Sequence, residues 1–302
     1  MLCPRRVATK EKKSLQEVWA DMDELDAFIS KEGLPDTFRR TAEMVCEPLA
    51  ARAQRRRIDR KKTAVIGLCG AQGSGKSTIA QFTAHLLEQR GMRAIALSLD
   101  DFYLTKDARL RLAREVHPLL AVRGPPGTHD VAMAGAAIDQ LRSKGKVSLP
   151  RFDKATDNRT PRGTWPNVTA PVDVILLEGW CVGALSQGKG ALAQPVNDLE
   201  RIEDPKSVWR TYVNDQLDGP YQTLFARLHD LVLLEAPSFE VVFGWRAEQE
   251  AKLRERTAVG MDEAEVARFV AHYERITRWI LAEMPRRADW VVTLDAERNP
   301  YS

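Results

Sequence analysis

Short runs of consecutive apolar residues alternate along the chain with longer stretches in which apolar residues recur every three or four positions. Val65, Ile66 and Leu68, then RAIALSL at 93–99, DVILL at 173–177, LVLLE at 231–235 and WVVTL at 290–294 read as strands. Runs without polar alternation belong to strands buried on both faces. Helical spacing joins Leu15, Val18, Trp19, Met22 and Leu25, and continues through Phe28, Phe38, Met44, Val45 and Leu49 in pieces around Gly33-Leu34-Pro35. Ile79, Phe82 and Leu86 predict a helix that Gly91 closes, and further helices are expected over 106–116, 131–142, 207–217 and from Ser238 onward. The stripe Val266, Phe269, Val270, Tyr273, Ile276 and Ile280 predicts one long amphipathic helix over 262–284, with WVVTL after it as the last strand. Pro150 demotes 146–153 to an edge strand or loop, and 183–205 reads as a polar insertion. Strands alternating with helices predict an α/β fold: three layers around a mainly parallel sheet, preceded by helical pieces.

The first strand runs into Gly70, four intervening residues, then Gly75, Lys76 and Ser77, which spells the phosphate-loop pattern GxxxxGKS. A nucleoside triphosphate carries crowded negative charge. Glycines let successive backbone N–H groups approach it, and the helix beyond them offers its positive end. Gly73, Ser74 and Thr78 belong to the same cradle, Lys76 would meet the β and γ phosphates, and the Ser77 hydroxyl suits Mg²⁺. ATP and Mg²⁺ are therefore the expected cofactors.

Two carboxylates, Asp100 and Asp101, come directly after the second strand. In an open parallel sheet that is the edge where ligands sit. Asp100 there can accept the proton of a hydroxyl attacking the γ-phosphate, with Asp101 and Tyr103 beside it as substrate contacts; capping of the next turn is the competing explanation. The loop RGPPGTHD places Arg123, His129 and Asp130 within eight residues, a set suited to a small anionic substrate, although Asp130 can also cap the next helix. Lys154, Arg159 and Arg162 are anion-ligand candidates on a polar loop. Glu178 ends the most apolar strand, where an acid holds Mg²⁺ through water beside the phosphate loop. Arg246 lies in a charged helix near 238–256 that could close as a lid, its guanidinium stabilising the transferring group.

With 45 basic and 42 acidic residues the net charge is +3, too small to indicate a nucleic-acid partner. The one basic run, Arg52 to Lys62, lacks interleaved aromatics and reads as a solvated helix end or linker. Four scattered cysteines without a CxxC pair suit a reducing compartment. No signal peptide or membrane span is visible, so a cytoplasmic protein with no membrane partner is expected, as a monomer or homodimer.

Taken in order, GAQGSGKST, SLDDFYLT, RGPPGTHD, LPRFDK, LLEGW, FGWRAEQE and DAERNP resemble the D-glycerate 3-kinase family over residues 64–300. That family sits in the phosphoribulokinase, uridine kinase and pantothenate kinase branch of P-loop kinases. The resemblance implies transfer of the ATP γ-phosphate to the 3-hydroxyl of glycerate. It assigns Asp100 as general base, Glu178 as the Mg²⁺-side acid, Arg246 as the lid arginine and 123–130 as the substrate loop. The helical spacing ahead of the first strand divides the chain into an N-terminal helical extension, 1–62, and a P-loop kinase domain, 63–302, with the lid helix near 238–256. The chain departs from the family in a shorter, less glycine-rich loop after Asp153 and in its own basic helical N-terminus. Rival readings are a kinase of another hydroxyl compound, such as pantothenate or a nucleoside, and a P-loop ATPase switch. A switch has no need of the carboxylates after the second strand.

Overall fold

The computed structural model describes residues 15–257 and 261–301; the basic start of the chain, including Cys3, lies outside them, as do the side chains of Leu15, Val18, Trp19 and Met22. Helix α1 (Leu15–Glu32) turns at Gly33 into α2 (Phe38–Thr41), which continues through one wide turn into α3 (Glu47–Arg60). Strand β1 (Ala64–Gly70) leads through the phosphate loop into α4 (Lys76–Gln89), followed by β2 (Ala94–Ser98), α5 (Lys106–Glu115) and α6 (Val131–Leu141). A side ribbon pairs β3 (Gly145–Ser148) with β6 (Asn167–Ala170) and carries the two-residue strands β4 (Phe152–Asp153) and β5 (Asn158–Arg159) at its tip. Next come β7 (Val174–Gly179), α7 (Asp198–Glu203), α8 (Val208–Gln216), α9 (Gln222–Phe225) and β8 (Asp230–Glu235). Helices α10 (Phe239–Thr257), α11 (Glu263–Ala271) and α12 (Glu274–Glu283) precede β9 (Trp290–Leu294) and β10 (Pro300–Tyr301).

The main sheet has the order β10-β9-β8-β1-β7-β2, parallel throughout except for β10 on β9. Every residue of β1 and β7 is buried, as their unbroken apolar runs require. Period-two alternation sends Val65, Cys69, Ile175 and Leu177 to one face, where they meet Ile138 and Leu141 of α6 and Ile276 of α12. Ile66, Leu68, Val174 and Leu176 go to the other, against α3, α4 and α10. The N-terminal helices thus share this second core: Val45, Cys46, Leu49, Ala50 and Ala53 are fully buried in it.

The basic run is not a linker. It is the last turns of α3, and three of its arginines bridge to the starts of two strands. Arg52 and Arg56 donate to the buried Asp230 carboxylate at 2.8 and 2.6 Å, and Arg57 donates to Asp173 at 3.0 Å. The stripe over 262–284 forms two helices instead of one. At the break the His272 ring, not its backbone N–H, bonds the Arg268 carbonyl, at 2.9 Å. A local side-chain partner of this kind competes with the helical ladder while leaving the apolar period intact. β10 comes after β9, so WVVTL is not the last strand, and the polar insertion contains α7.

That insertion is held by charge. Arg275 of α12 donates to Glu200 at 2.7 and 2.6 Å and to the carbonyls of Ala191 and Gln194, with both side chains buried. Removing one member of a buried pair leaves the other uncompensated and costs about 3 kcal/mol. Glu200→Ala is therefore expected to lower the urea midpoint by an amount equivalent to about 3 kcal/mol, whereas Asp198→Ala, an exposed pair partner on the same helix, should change it little.

Candidate functional site

The phosphate loop takes its shape from Gly73 and Gly75, whose φ angles of +80° and +82° lie in the region L side chains avoid. A Cβ on Gly73 would sit 2.7 Å from the Trp245 Cβ, so α10 rests directly on the loop. Gly75 caps α4 without a side-chain bond, which leaves the first N–H groups for an anion. Ser77 Oγ donates to Glu178 Oε1 at 2.9 Å, across the β1–β7 pairing that sets Leu68 beside Glu178. The other oxygen, Oε2, is buried with no partner among the described residues. A hydroxyl and a half-satisfied carboxylate fit Mg²⁺, which takes one or two protein oxygens and fills its remaining positions with phosphates and water.

Beyond Lys76 a cavity of about 50 Å³ opens against Asp100, with Arg123, Lys154, Arg246 and Tyr273 around it. Asp100 Oδ1 accepts from the Tyr103 hydroxyl at 3.0 Å and Oδ2 from Lys154 Nζ at 2.9 Å. Burial alone would raise this carboxyl; the ammonium groups of Lys154 and Lys76 outweigh it and hold the group well below the usual range. Tyr103, buried beside that anion, stays a phenol. Arg246 pairs with Glu250 and lies 4.8 Å over the Phe269 ring.

Other sequence candidates stand behind the cavity wall. Asp101 turns away to accept from Arg151 Nη1 at 2.9 Å and Phe152 N–H at 3.1 Å, because adjacent residues of a 3₁₀ turn diverge. Asp130 caps α6 through Met133 N–H. Arg159 donates to the Tyr103 carbonyl at 2.8 Å and lies 3.5 Å from Asp130. His129 is buried, its Nδ1 2.5 Å from Tyr221 Oη and its ring stacked on Tyr103 at 4.4 Å. These residues shape and support the Tyr103 segment. Thr78, with Ser74 and Gly75, faces a different cleft on the far side of the loop.

Sequence reasoning passed over Arg109 and Asp157. Arg109, wholly buried, donates to the carbonyls of Ala121, Leu104 and Asp157 and to the Asp157 carboxylate; Asp157 also takes Arg123 Nη1 at 2.5 Å. One guanidinium therefore pins the segments that carry Tyr103, Arg123 and Lys154. A lone Arg in a polar helix gives no sequence signal of that role. Cys69 and Cys181 are buried thiols pushed up by desolvation, Cys69 to about 12, and are poor nucleophiles.

Burial lowers the His129 imidazole from 6.5 to about 4, so the folded protein keeps it neutral where the unfolded chain would protonate it. The unfolded state then binds more protons, and stability from this residue is complete above pH 6.5 and lost as the pH falls toward 4. The loss amounts to about 3 kcal/mol. Urea unfolding of the wild type should weaken over that range more steeply than unfolding of His129→Gln. Parallel curves would exclude the effect.

Residues 65–184 match the phosphoribulokinase / uridine kinase family. The chain is 32% identical over 225 residues to the uncharacterized kinase mug58 of Schizosaccharomyces pombe, an alignment covering 69% of this chain and 78% of that protein. It is 30% identical over 255 residues to the chloroplastic D-glycerate 3-kinase of Arabidopsis thaliana, covering 78% of this chain; it spans about half, 53%, of the plant protein. A solved D-glycerate 3-kinase from Cryptococcus neoformans superposes with a TM-score of 0.72 over 86% of this chain and 98% of that one, at 21% identity, and so shares the fold. The Schizosaccharomyces match extends well past the phosphate loop, and on that ground the chain belongs to the phosphoribulokinase/uridine kinase family and is an ATP-dependent phosphotransferase.

Proposed function

We propose that the acceptor is a small hydroxy acid, D-glycerate, converted to 3-phosphoglycerate. The observation that carries this reading is the cavity at Asp100: about 50 Å³, the room of a few water molecules, with Lys76, Arg123, Lys154 and Arg246 as its charged lining. Asp100 faces four cations, and although Glu250 pairs with Arg246 and Asp157 is shared between Arg123 and Arg109, positive charge remains that a substrate carboxylate and a γ-phosphate would neutralise. A nucleoside offers no carboxylate to Arg123 and exceeds the space.

In this reading Arg123, held in place by Asp157, takes the acid group and turns the hydroxyl toward Asp100. The hydroxyl oxygen forms its bond to the γ-phosphorus as the bond to the β–γ bridging oxygen breaks, and the hydroxyl proton passes to Asp100. A carboxylate of depressed pKa is a weak base, which suits a loose transition state that releases its proton late. Lys76 and Arg246 face the charge on the transferring group, an arrangement that accelerates by positioning and electrostatics. Mg²⁺, held by Ser77 and Glu178, would neutralise phosphate oxygens.

The direct test is ADP release with and without D-glycerate, with the phosphorylated product identified. Release should depend on the acid, and Asp100→Asn should lower kcat by roughly 10²–10⁴-fold. Acceptor-independent release that survives Asp100→Asn but not Lys76→Ala would instead mark a nucleotide switch. A second outcome concerns pH. Because Lys154 and Lys76 keep Asp100 ionised, kcat/KM should show no acid limb from this group down to about pH 5. Lys154→Met leaves burial less opposed, and an acid limb should then move up toward neutrality; an unchanged profile would rule out this account of Lys154.

A further inference from the structure

We infer that the N-terminal helical segment, through the turn at Gly33–Thr41, forms one wall of the site that receives the nucleotide base. The inference rests on the reading of this chain as an ATP user and assigns a task to residues outside the matched family region, 65–184. A triphosphate whose γ end faces Lys76 and Asp100 must leave the loop on its other side, past Gly75 and Thr78. There a separate cleft of about 270 Å³ opens, floored by Ser74, Gly75 and Thr78. Leu34, Pro35 and Phe38 line it from the N-terminal segment; Glu297 and Asn299 of the turn between β9 and β10, with Glu248 and Gln249 of α10, give it a polar side. An apolar wall together with a polar one suits a flat heteroaromatic ring with hydrogen-bonding edges.

Both walls are fixed before any ligand arrives. Gly33 ends α1 at φ +61°, Leu34 N–H bonds the Ile29 carbonyl at 2.9 Å, and the Pro35 ring locks its own φ. Phe38 is anchored in the core against Phe28 and Phe82, with ring centroids 6.0 and 5.7 Å away. On the polar side, Asn299 N–H and Nδ2 donate to the two Asp295 oxygens at 2.7 and 3.0 Å. Arg298, at φ +70°, donates to the Gly73 carbonyl at 2.8 Å and fastens this turn to the phosphate loop. A cleft whose walls are already held loses little freedom on binding. The larger cleft beside β2 is a poorer candidate, since it opens on the side of the metal-side pair Ser77 and Glu178 and not past Gly75 and Thr78.

The test compares Mg·ATP with Mg·tripolyphosphate, which keeps the phosphates and lacks the base, by calorimetric titration of the full chain. Wild type should bind ATP at least tenfold more tightly. Leu34→Ala, at a half-buried turn position, should weaken ATP binding about tenfold while leaving tripolyphosphate affinity and the acceptor KM in place. Leu34→Asp should do the same more strongly, and its unfolding midpoint without ligand reports whether the fold survives. Equal wild-type affinity for the two probes would overturn the inference and leave the phosphate loop standing, as would Leu34 variants that fold and bind ATP like wild type. Equal weakening of both probes would also overturn it by marking Leu34 as merely structural. If wild type bound neither probe, the inference would fall together with the ATP reading.

Discussion

A carboxylate and a triphosphate cradle face each other across a space of a few water molecules, in surroundings that penalise unpaired charge. Asp100 is stable there as an anion because Lys154 and Lys76 lie close to it and Tyr103 donates to it. Arg123 and Arg246 add cations that the protein only partly neutralises, through Asp157 and Glu250. The site is therefore charged in anticipation of anions, and its geometry must be held by other means than the ligand.

Much of that holding is done by buried charge. Arg109 gathers the segments around the cavity by donating to Leu104, Ala121 and Asp157. Arg275 does the same for the insertion through Glu200 and two carbonyls, and Arg210 for the start of α8 through Asp204. On the opposite end of the sheet, Asp230 draws two arginines of α3 onto the start of β8. Arg109 and Arg275 each donate from all three guanidinium nitrogens, the condition under which a buried cation is tolerated.

The phosphate loop and the acid at Glu178 were legible because both obey local rules: strands buried on two faces are apolar throughout, and a tight anion cradle needs glycine at set positions. Lys76 and Asp100 meet because those strand ends share an edge, whereas Arg123 reaches the cavity through the Arg109–Asp157 anchor and Arg246 through the seating of α10 on the loop. Asp101 could not be separated from Asp100 by sequence, since a single step along a 3₁₀ turn decides which of them meets the cavity. His129 and Arg159 look like ligands in a polar loop, yet each finds its partner in a residue distant in the chain, Tyr221 or Tyr103. The break at His272 was invisible for the related reason that a side chain replaced a backbone donor without altering the apolar period. The short run of buried residues in α3 was masked by the arginines around it.

Trp245 touches three things at once: the phosphate loop at Gly73, the guanidinium of Arg298 at 5.4 Å, and the Ala296 carbonyl, to which its indole donates at 2.6 Å. Through that one side chain α10, the phosphate loop and the turn that precedes β10 are tied into a single unit. Arg246 is the very next residue, so the contacts that seat α10 on the phosphate loop also set where its guanidinium stands beside the Asp100 cavity.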